Sequence, residues 1–461
     1  MTGPAGVLLP GFRGTTLPRW LAARLDAGLA GVCLFGPNIT SADQLRRLTA
    51  DIREHNPLAL IAIDEEGGDV TRLHAATGSP YPGNALLGRI DDLALTEDVA
   101  RQVGSELARV GVDLDFAPDV DVNSTPLNPV IGVRSFGAQP GLAARHSAAW
   151  VRGLQSAGVA ATAKHFPGHG DTAQDSHLAL PVVDVPLAVL RERELPPFAA
   201  AVAAGVEVVM TSHILLPQVD PAAPATFSPA ILGGLLRGEL GFDGVIVSDA
   251  LDMAGASGTT GMASAAVRAI AAGCDLLCLG TDNDDRELAE LEEALADAPA
   301  ARRADAGARV RALAERLSRA PRPSFAGEGV PLERIVGAFD VRPGVRVERN
   351  RVLIALETVP NIAVGTSPWG PAAAGAQVLH ATAESRPDVP AGAQPILIGK
   401  DNHRHAWIRD YADAVRRAHP GALVVDMGWP GEDRRYAEVA TFGASRLAGQ
   451  ALLAWLEGTA R

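Results

Sequence analysis

Eight short apolar runs constrain the fold of this 461-residue chain more than any other feature of its sequence. Each run ends in a polar or Gly-rich turn, and segments with helical periodicity lie between most of them. Strands that alternate with helices form parallel sheets, and a count of eight favours closure into a (β/α)8 barrel, a TIM-like α/β fold. An open, doubly wound sheet is the less favoured alternative, because no GxGxxG follows the first run. The predicted strands span residues 6–9, 31–35, 58–63, 112–117, 159–163, 206–210, 244–247 and 275–279. The predicted helices include 41–55, with Ser41 as N-cap, and 96–110, 142–157, 185–204, 230–240, 262–272 and 285–319.

A second, smaller α/β domain is predicted after the barrel. Residues 320–331, APRPSFAGEGVP, are rich in Pro and Gly and have the composition of a linker. Strand-like RVLIALE, QPILIGK and ALVVDMG follow, and they alternate with helical patterns at 406–418 and 445–456. The sequence therefore predicts a catalytic barrel at 1–320, a linker at 321–343 and an α/β sandwich domain at 344–461.

The composition excludes several classes of partner. The chain carries 41 basic and 54 acidic residues, a net charge of −13, and has no basic block, which argues against binding to nucleic acid or to an anionic membrane. Its three cysteines lie in apolar stretches and are expected to be buried thiols in a reducing compartment. The N-terminus lacks the basic and apolar regions of a signal peptide, so a cytoplasmic protein is expected.

Charged residues occur where five of the predicted strands end. In a barrel of this type the carboxyl ends of the strands build the active site, so these residues are expected to converge at one mouth. A carboxylate at a strand end also caps the following helix, and each residue alone has that interpretation. The residues are Asp64 and Arg72 after the third strand, Arg134 after the fourth, Lys164 and His165 after the fifth, His213 after the sixth and Asp249 after the seventh. Lys164 and Lys400 are the only two lysines among the 41 basic residues.

The stretch KHFPGHGDTAQDSH, residues 164–177, allows three kinds of site. A zinc site would use its three histidines, but Pro167 and Gly168 prevent a helical HxxxH. A phosphate loop would lead directly into a helix, and DTAQDSHLALP does not begin like one. An acid/base loop fits better, because Asp175 and His177 would point to the same side of an extended chain. The carboxylate would then orient the imidazole and raise its proton affinity.

Four motifs in order resemble glycoside hydrolase family 3, in particular the two-domain form of its β-N-acetylhexosaminidase branch. They are DEEGG…R, RSFG, KHFPGHG…DSH and SDALDM, and they span residues 1 to about 320. The final stretch YAEVATFGASRLAGQALLAWLEG also resembles the α/β sandwich that follows the barrel in two-domain members. The sequence departs from the family at Asp69, where members often have Arg.

The resemblance implies a role for each matching residue. Asp249 would be the nucleophile, and His177 paired with Asp175 would be the general acid/base in place of a second carboxylate. Asp252 is expected to begin a helix rather than to act as a second nucleophile. No metal and no cofactor are implied. The residues expected to hydrogen-bond the sugar are Asp64, Arg72, Arg134, Lys164 and His165.

Three functions remain open at this point. The first is a retaining exo-β-N-acetylglucosaminidase acting on a small carbohydrate that contains β-linked GlcNAc, with recycling of peptidoglycan fragments as a setting that suits a cytoplasmic enzyme. The second is a phosphorylase on the same scaffold, since a histidine acid/base does not repel phosphate as a carboxylate would. The third is a catalytically dead sugar-binding barrel. The second domain is expected to stabilise the barrel, to bring the loop near Lys400 to its mouth, or to mediate dimerisation; the sequence predicts no oligomeric state.

Overall fold

The computed structural model describes residues 3–172, 174–176, 178–258, 260–323, 325, 327 and 329–459. The chain divides into two compact units, each made of separate stretches. The first unit comprises Met1–Glu65, Leu93–Val122 and Ala138–Gly327. The second unit comprises Glu66–Asp92, Asn123–Gly137 and Glu328–Arg461. The sequence predicts domain boundaries at 320 and 344. In the structure, two segments that follow the third and fourth strands, residues 66–92 and 123–137, belong to the second unit.

The first unit is an eight-stranded parallel barrel, as predicted. Each of the eight predicted runs contains or overlaps a strand; most strands are shorter than their runs, whereas β5 is longer. The strands are β1 Leu8–Leu9, β2 Gly31–Leu34, β3 Leu60–Ile63, β4 Leu114–Asp115, β5 Ala160–Phe166, β6 Val208–Thr211, β7 Val245–Ser248 and β8 Leu276–Cys278.

The barrel strands follow the order β1-β8-β7-β6-β5-β4-β3-β2. Two backbone hydrogen bonds join the two ends of this order. Ala30 N–H donates to the Ala5 carbonyl at 3.0 Å, and Cys33 N–H donates to the Pro10 carbonyl at 2.9 Å. The sheet therefore closes on itself and leaves no free edge. Its strands are buried on both faces, which explains why they are apolar runs rather than alternating patterns.

Helices cover the outside of the barrel. Ser41 is the N-cap of the second helix and accepts a hydrogen bond from Gln44 N–H at 3.1 Å, as predicted. The predicted helix at 185–204 is two helices, because Pro196 and Pro197 have no N–H to continue the first one. The predicted helix at 285–319 is likewise interrupted before Pro299. The helices of the first unit are α1 Arg19–Asp26, α2 Ala42–His55, α4 Leu93–Arg109, α5 Pro140–Ser156, α6 Leu187–Arg193, α7 Leu195–Ala203, the π-helix Ala230–Glu239, α8 Ala254–Ser257, α9 Met262–Ala272, α10 Asp285–Ala294 and α11 Ala300–Arg319, and α3 Asn84–Ile90 belongs to the second unit.

The second unit is built around a six-stranded sheet of order β11-β10-β12-β13-β14-β9, parallel except for the antiparallel pair β14 and β9. The predicted strands β10, β12 and β13 are confirmed, as are the two predicted helices. The strands are β9 Asp340–Val341, β10 Arg351–Leu356, β11 Leu379–Ala381, β12 Gln394–Gly399, β13 Leu423–Asp426 and β14 Val439–Ala440. The remaining helices are α12 Leu332–Gly337, α13 Gly370–Ala373, α14 Ala406–Ala418 and α15 Arg446–Thr459.

The interval predicted as a linker, 321–343, contains regular structure in its second half. Helix α12 and strand β9 lie within it, and β9 pairs with β14. The Pro- and Gly-rich composition that indicated a linker is confined to residues 320–331. The apolar residues of α12, such as the fully buried Ile335, mark the beginning of packed structure.

Cys33, Cys274 and Cys278 are buried thiols outside any disulfide, as the sequence predicts. Burial raises the pKa of the Cys274 thiol, which keeps it protonated and chemically inert. Of the helices in the described part of the chain, none combines the length and the apolar character that crossing a bilayer requires.

Candidate active site

A buried ion pair links the ends of two barrel strands. Asp64 follows β3 directly, and Lys164 lies within β5. The Lys164 ammonium donates to Asp64 Oδ1 at 2.7 Å, and 2% of the lysine side chain is exposed against 20% for the aspartate. A carboxylate held this way presents acceptor oxygens at the barrel mouth.

Asp121 organises the beginning of the KHFPGHG stretch. Its carboxylate accepts from the His165 ring through Nδ1 at 2.8 Å and from the backbone N–H of His169 at 2.7 Å. Because a carboxylate only accepts, Nδ1 of His165 carries the proton and Nε2 is the acceptor of the neutral ring. Asp121 has no predicted role from the sequence. The available signal was the PDVDV motif directly after β4.

Asp119, Asp121 and His165 form a cluster whose possible ligand atoms lie within 4.8 Å of one another. These residue types bind metal ions, but the Asp121 carboxylate already holds the His165 ring and two backbone N–H groups. The hydrogen bonds that fix the loop account for the arrangement. The absence of a catalytic metal stays a prediction.

His169 fastens the loop that leads to the predicted acid/base. Its Nε2 lies 2.9 Å from Ser176 Oγ, and its Nδ1 lies 2.7 Å from Thr172 Oγ1. The carbonyl of Ser176 in turn accepts from Gly255 N–H at 3.2 Å, in the segment that follows β7. The loop is thus tied both to the end of β5 and to the chain that follows Asp249.

Gly170 is required by close packing within this loop. A Cβ at this position would overlap the carbonyl group of Val122. From the sequence alone, glycines at 168 and 170 are expected to let the loop close over a substrate. At Gly170 the described residues show tight contact with a neighbouring backbone instead.

Of the predicted acid/base pair, Asp175 lies among the described residues. Asp175 is half-buried, and its carbonyl accepts from Leu178 N–H at 3.0 Å and from Ala179 N–H at 3.1 Å. Leu178 and Ala179 therefore lie against Asp175, whereas the predicted pairing assumes an extended chain. His177 lies outside the described residues, so its pairing with Asp175 stays a prediction.

Asp249 follows β7 at the carboxyl end of the barrel, as predicted. It is half-buried, and its Oδ1 accepts from Ala250 N–H at 2.8 Å. Beneath it, the buried His213 lies with Nε2 3.1 Å from the Ala250 carbonyl and Nδ1 2.9 Å from Thr226 Oγ1. His213 thus supports the backbone next to Asp249. The role of Asp249 as nucleophile stays a prediction.

Arg72 and Arg134 belong to the second unit and have partners there. Arg134 donates through Nε at 2.9 Å and Nη2 at 2.8 Å to the two carboxylate oxygens of Glu66, and both side chains are almost completely buried. Arg72 donates to the Ala363 carbonyl at 2.9 Å.

Asp69, at the position where the family often has Arg, accepts from Ala444 N–H at 2.9 Å. Burial raises the pKa of Asp69, and the charge of Lys400 opposes that rise.

We expect the stability of the first unit to decrease as the pH falls from about 6.5 to about 4. Burial and the neighbouring His165 lower the pKa of His169 to about 4, and the charges of Asp121 and Asp249 only partly offset this. The unfolded chain binds a proton at this residue near pH 6.5, whereas the folded protein does so near pH 4. The contribution of His169 is complete above pH 6.5 and loses about 3 kcal/mol by pH 4.

Urea denaturation between pH 4 and 7.5 measures this loss. His169→Gln removes the titration while keeping an amide that both donates and accepts. The variant should show a flatter dependence of unfolding free energy on pH than the wild-type protein. An unchanged slope would mean that His169 does not titrate in this way.

The chain is similar to known proteins over both units. Residues 19–314 match the Glycosyl hydrolase family 3 N terminal domain. A β-hexosaminidase from Pseudomonas aeruginosa is 41% identical over 261 residues, which are 57% of this chain and 78% of that protein. β-Hexosaminidase A from Pseudoalteromonas piscicida is 40% identical over 287 residues, 57% of this chain, and the match spans about half of its length, 48%. A solved glycoside hydrolase family 3 β-N-acetylglucosaminidase from Paenibacillus superposes with a TM-score of 0.86 at 30% identity, covering 99% of this chain and 96% of the other.

Proposed function

Because the chain belongs to glycosyl hydrolase family 3, we propose that it is a retaining exo-β-N-acetylglucosaminidase that removes a terminal β-linked GlcNAc. The observation that carries the proposal is the position of Asp249. Its carboxylate is half-buried at the end of β7, and its negative charge raises the proton affinity of His169 in the loop after β5. Proteins similar to this chain bear the names β-hexosaminidase and β-N-acetylglucosaminidase.

The proposed reaction has two steps. In the first, Asp249 attacks C1 of the sugar, the glycosidic C–O bond breaks, and His177 donates a proton to the leaving oxygen. In the second, His177 takes a proton from water, the resulting nucleophile attacks C1, and Asp249 is released. A histidine performs both proton transfers near neutral pH, because its ordinary pKa lies close to that range.

The sugar is proposed to bind against the polar groups at the strand ends. The Lys164–Asp64 pair provides a charged donor and a charged acceptor for hydroxyl groups. His165, with its tautomer set by Asp121, provides an acceptor at Nε2. Arg72 and Arg134 remain proposed contacts. The proposed substrates are small GlcNAc-containing carbohydrates, with peptidoglycan fragments in the cytoplasm as the proposed setting, and the barrel is the proposed catalytic domain.

The test is release of nitrophenol from the β-GlcNAc aryl glycoside, with the β-glucoside as control. We expect the GlcNAc substrate to be preferred and phosphate to raise the turnover rate modestly at most. GlcNAc-1-phosphate as the dominant product at millimolar phosphate would make the enzyme a phosphorylase. Binding of GlcNAc without turnover of either glycoside would identify a sugar-binding barrel without activity.

We predict that His177→Ala slows substrates with poor leaving groups far more than activated aryl glycosides. An alkoxide leaving group needs the proton, and general acid catalysis contributes about a hundredfold or more, whereas nitrophenolate leaves without help. Comparing kcat for the nitrophenyl glycoside with kcat for a GlcNAc disaccharide measures the difference. Equal losses on both substrates would show that His177 is not the general acid.

A further inference from the structure

The second unit contains a crevice at the place where parallel sheets bind ligands. Strand β10 lies between β11 and β12 in the sheet. After β10 the chain forms β11 on one side of it and then crosses to form β12 on its other side. In open parallel sheets, ligands bind outside the carboxyl ends of the strands at such a point of reversal. Glu357 directly follows β10, and Lys400 directly follows β12.

A cavity of about 400 Å³ occupies this crevice. Its volume suits a ligand of one or two sugar rings, since ligand cavities measure roughly 300–1,000 Å³. Most of the wall is apolar, with side chains such as Ile398 and Pro371, and a few polar groups converge on it. That combination is typical of a small-molecule site.

The polar groups of the cavity form one connected set. Glu357 Oε1 lies 2.9 Å from His380 Nδ1, and Glu357 Oε2 accepts from the indole N–H of Trp369 at 3.4 Å. The Lys400 ammonium lies 5.0 Å from the centroid of the Trp369 ring. In the described part of the chain, Lys400 makes no salt bridge within 4.0 Å; its ammonium lies over an aromatic face, and its charge also acts on the Asp69 carboxylate at longer range.

From these contacts we infer that the cavity binds a sugar-sized ligand that carries a carboxylate. The ammonium of Lys400 pairs with the carboxylate of the ligand, the indole of Trp369 packs on the apolar face of the ring, and Glu357 accepts from ring hydroxyls. Trp provides a rigid, amphipathic surface at low cost in conformational entropy. None of the described residues that line the cavity is proposed for catalysis.

The two lysines of the chain make a direct test possible. Reductive ¹³C-methylation keeps the positive charge and labels Lys400, while Lys164, with 2% of its side chain exposed, is protected. The full chain is titrated with D-glucuronate, D-glucose and acetate while the Lys400 methyl signal is followed by NMR. Lys400→Arg identifies that signal by its disappearance.

We expect a saturable shift with glucuronate and an affinity for glucose that is lower by about tenfold or more, as a lost charged hydrogen bond predicts. Trp369→Leu and the milder Trp369→Phe should weaken glucuronate binding, whereas Trp407→Leu, a tryptophan outside the cavity, should leave it unchanged. The absence of a saturable shift overturns the proposal. Equal binding of glucose overturns the role of the carboxylate, and equal binding of acetate overturns the role of the sugar ring.

Discussion

Replacing Asp249 by Asn is expected to lower kcat for every β-GlcNAc glycoside by at least about a thousandfold. The amide has nearly the same shape and can keep the hydrogen bond from Ala250 N–H, so the fold should be retained. It cannot form the glycosyl-enzyme, because an amide oxygen is a poor nucleophile at neutral pH. Steady-state kinetics with the aryl glycoside measures the loss.

Asp252→Asn is the matched control, since it removes a carboxylate three residues further along the same segment. We expect the control to retain activity within about tenfold of the wild-type enzyme. Activity of the Asp249→Asn variant in that same range would refute the assignment of the nucleophile. Loss in the control alone would transfer the role to Asp252.

Replacing Arg134 by Ala is expected to lower the free energy of unfolding of the second unit by about 3–5 kcal/mol. The truncation leaves the Glu66 carboxylate, with 3% of its side chain exposed, without its bidentate partner. A buried charge without its partner costs far more than the intact pair contributes. Hydrogen exchange followed by mass spectrometry measures the loss in peptides of the second unit.

The double variant Glu66→Leu with Arg134→Met provides the comparison. It removes both charges, so most of the lost stability should return. Arg134→Lys should remain destabilised, because a single ammonium cannot bind both carboxylate oxygens in the planar geometry of a guanidinium. A loss below about 1 kcal/mol in Arg134→Ala would mean that the pair is as weak as an exposed one.

The barrel could be predicted because its strands are buried on both faces and their ends carry the polar residues. Asp64 and Asp249 were found by reading the first charged position after an apolar run, and each directly follows a strand, β3 or β7. Lys164 and His165 were expected in a loop after β5, whereas β5 continues through both to Phe166. Charged side chains interrupt the apolar pattern even where the backbone continues as a strand.

Asp121 and the Arg134–Glu66 pair could not be predicted, because their roles depend on partners distant in the sequence. The separation is 48 residues between Asp121 and His169 and 68 residues between Arg134 and Glu66. A local pattern shows that a residue is polar and near a strand end, but it does not show which group the side chain meets. The short strands β9, β11 and β14 were missed for a similar reason, since two or three residues carry no periodicity.

The discontinuous second unit has a consequence for how the chain folds during synthesis. Asp69 and Ala444 share a hydrogen bond across 375 positions, so residues 66–92 leave the ribosome long before their partners exist. Contacts this distant in sequence form slowly and leave early segments exposed to association with other chains. A nascent chain arrested near residue 321 would therefore hold two stretches, 66–92 and 123–137, without residues 328–461, which complete their unit. We expect such arrested chains to depend on a chaperone until translation is complete.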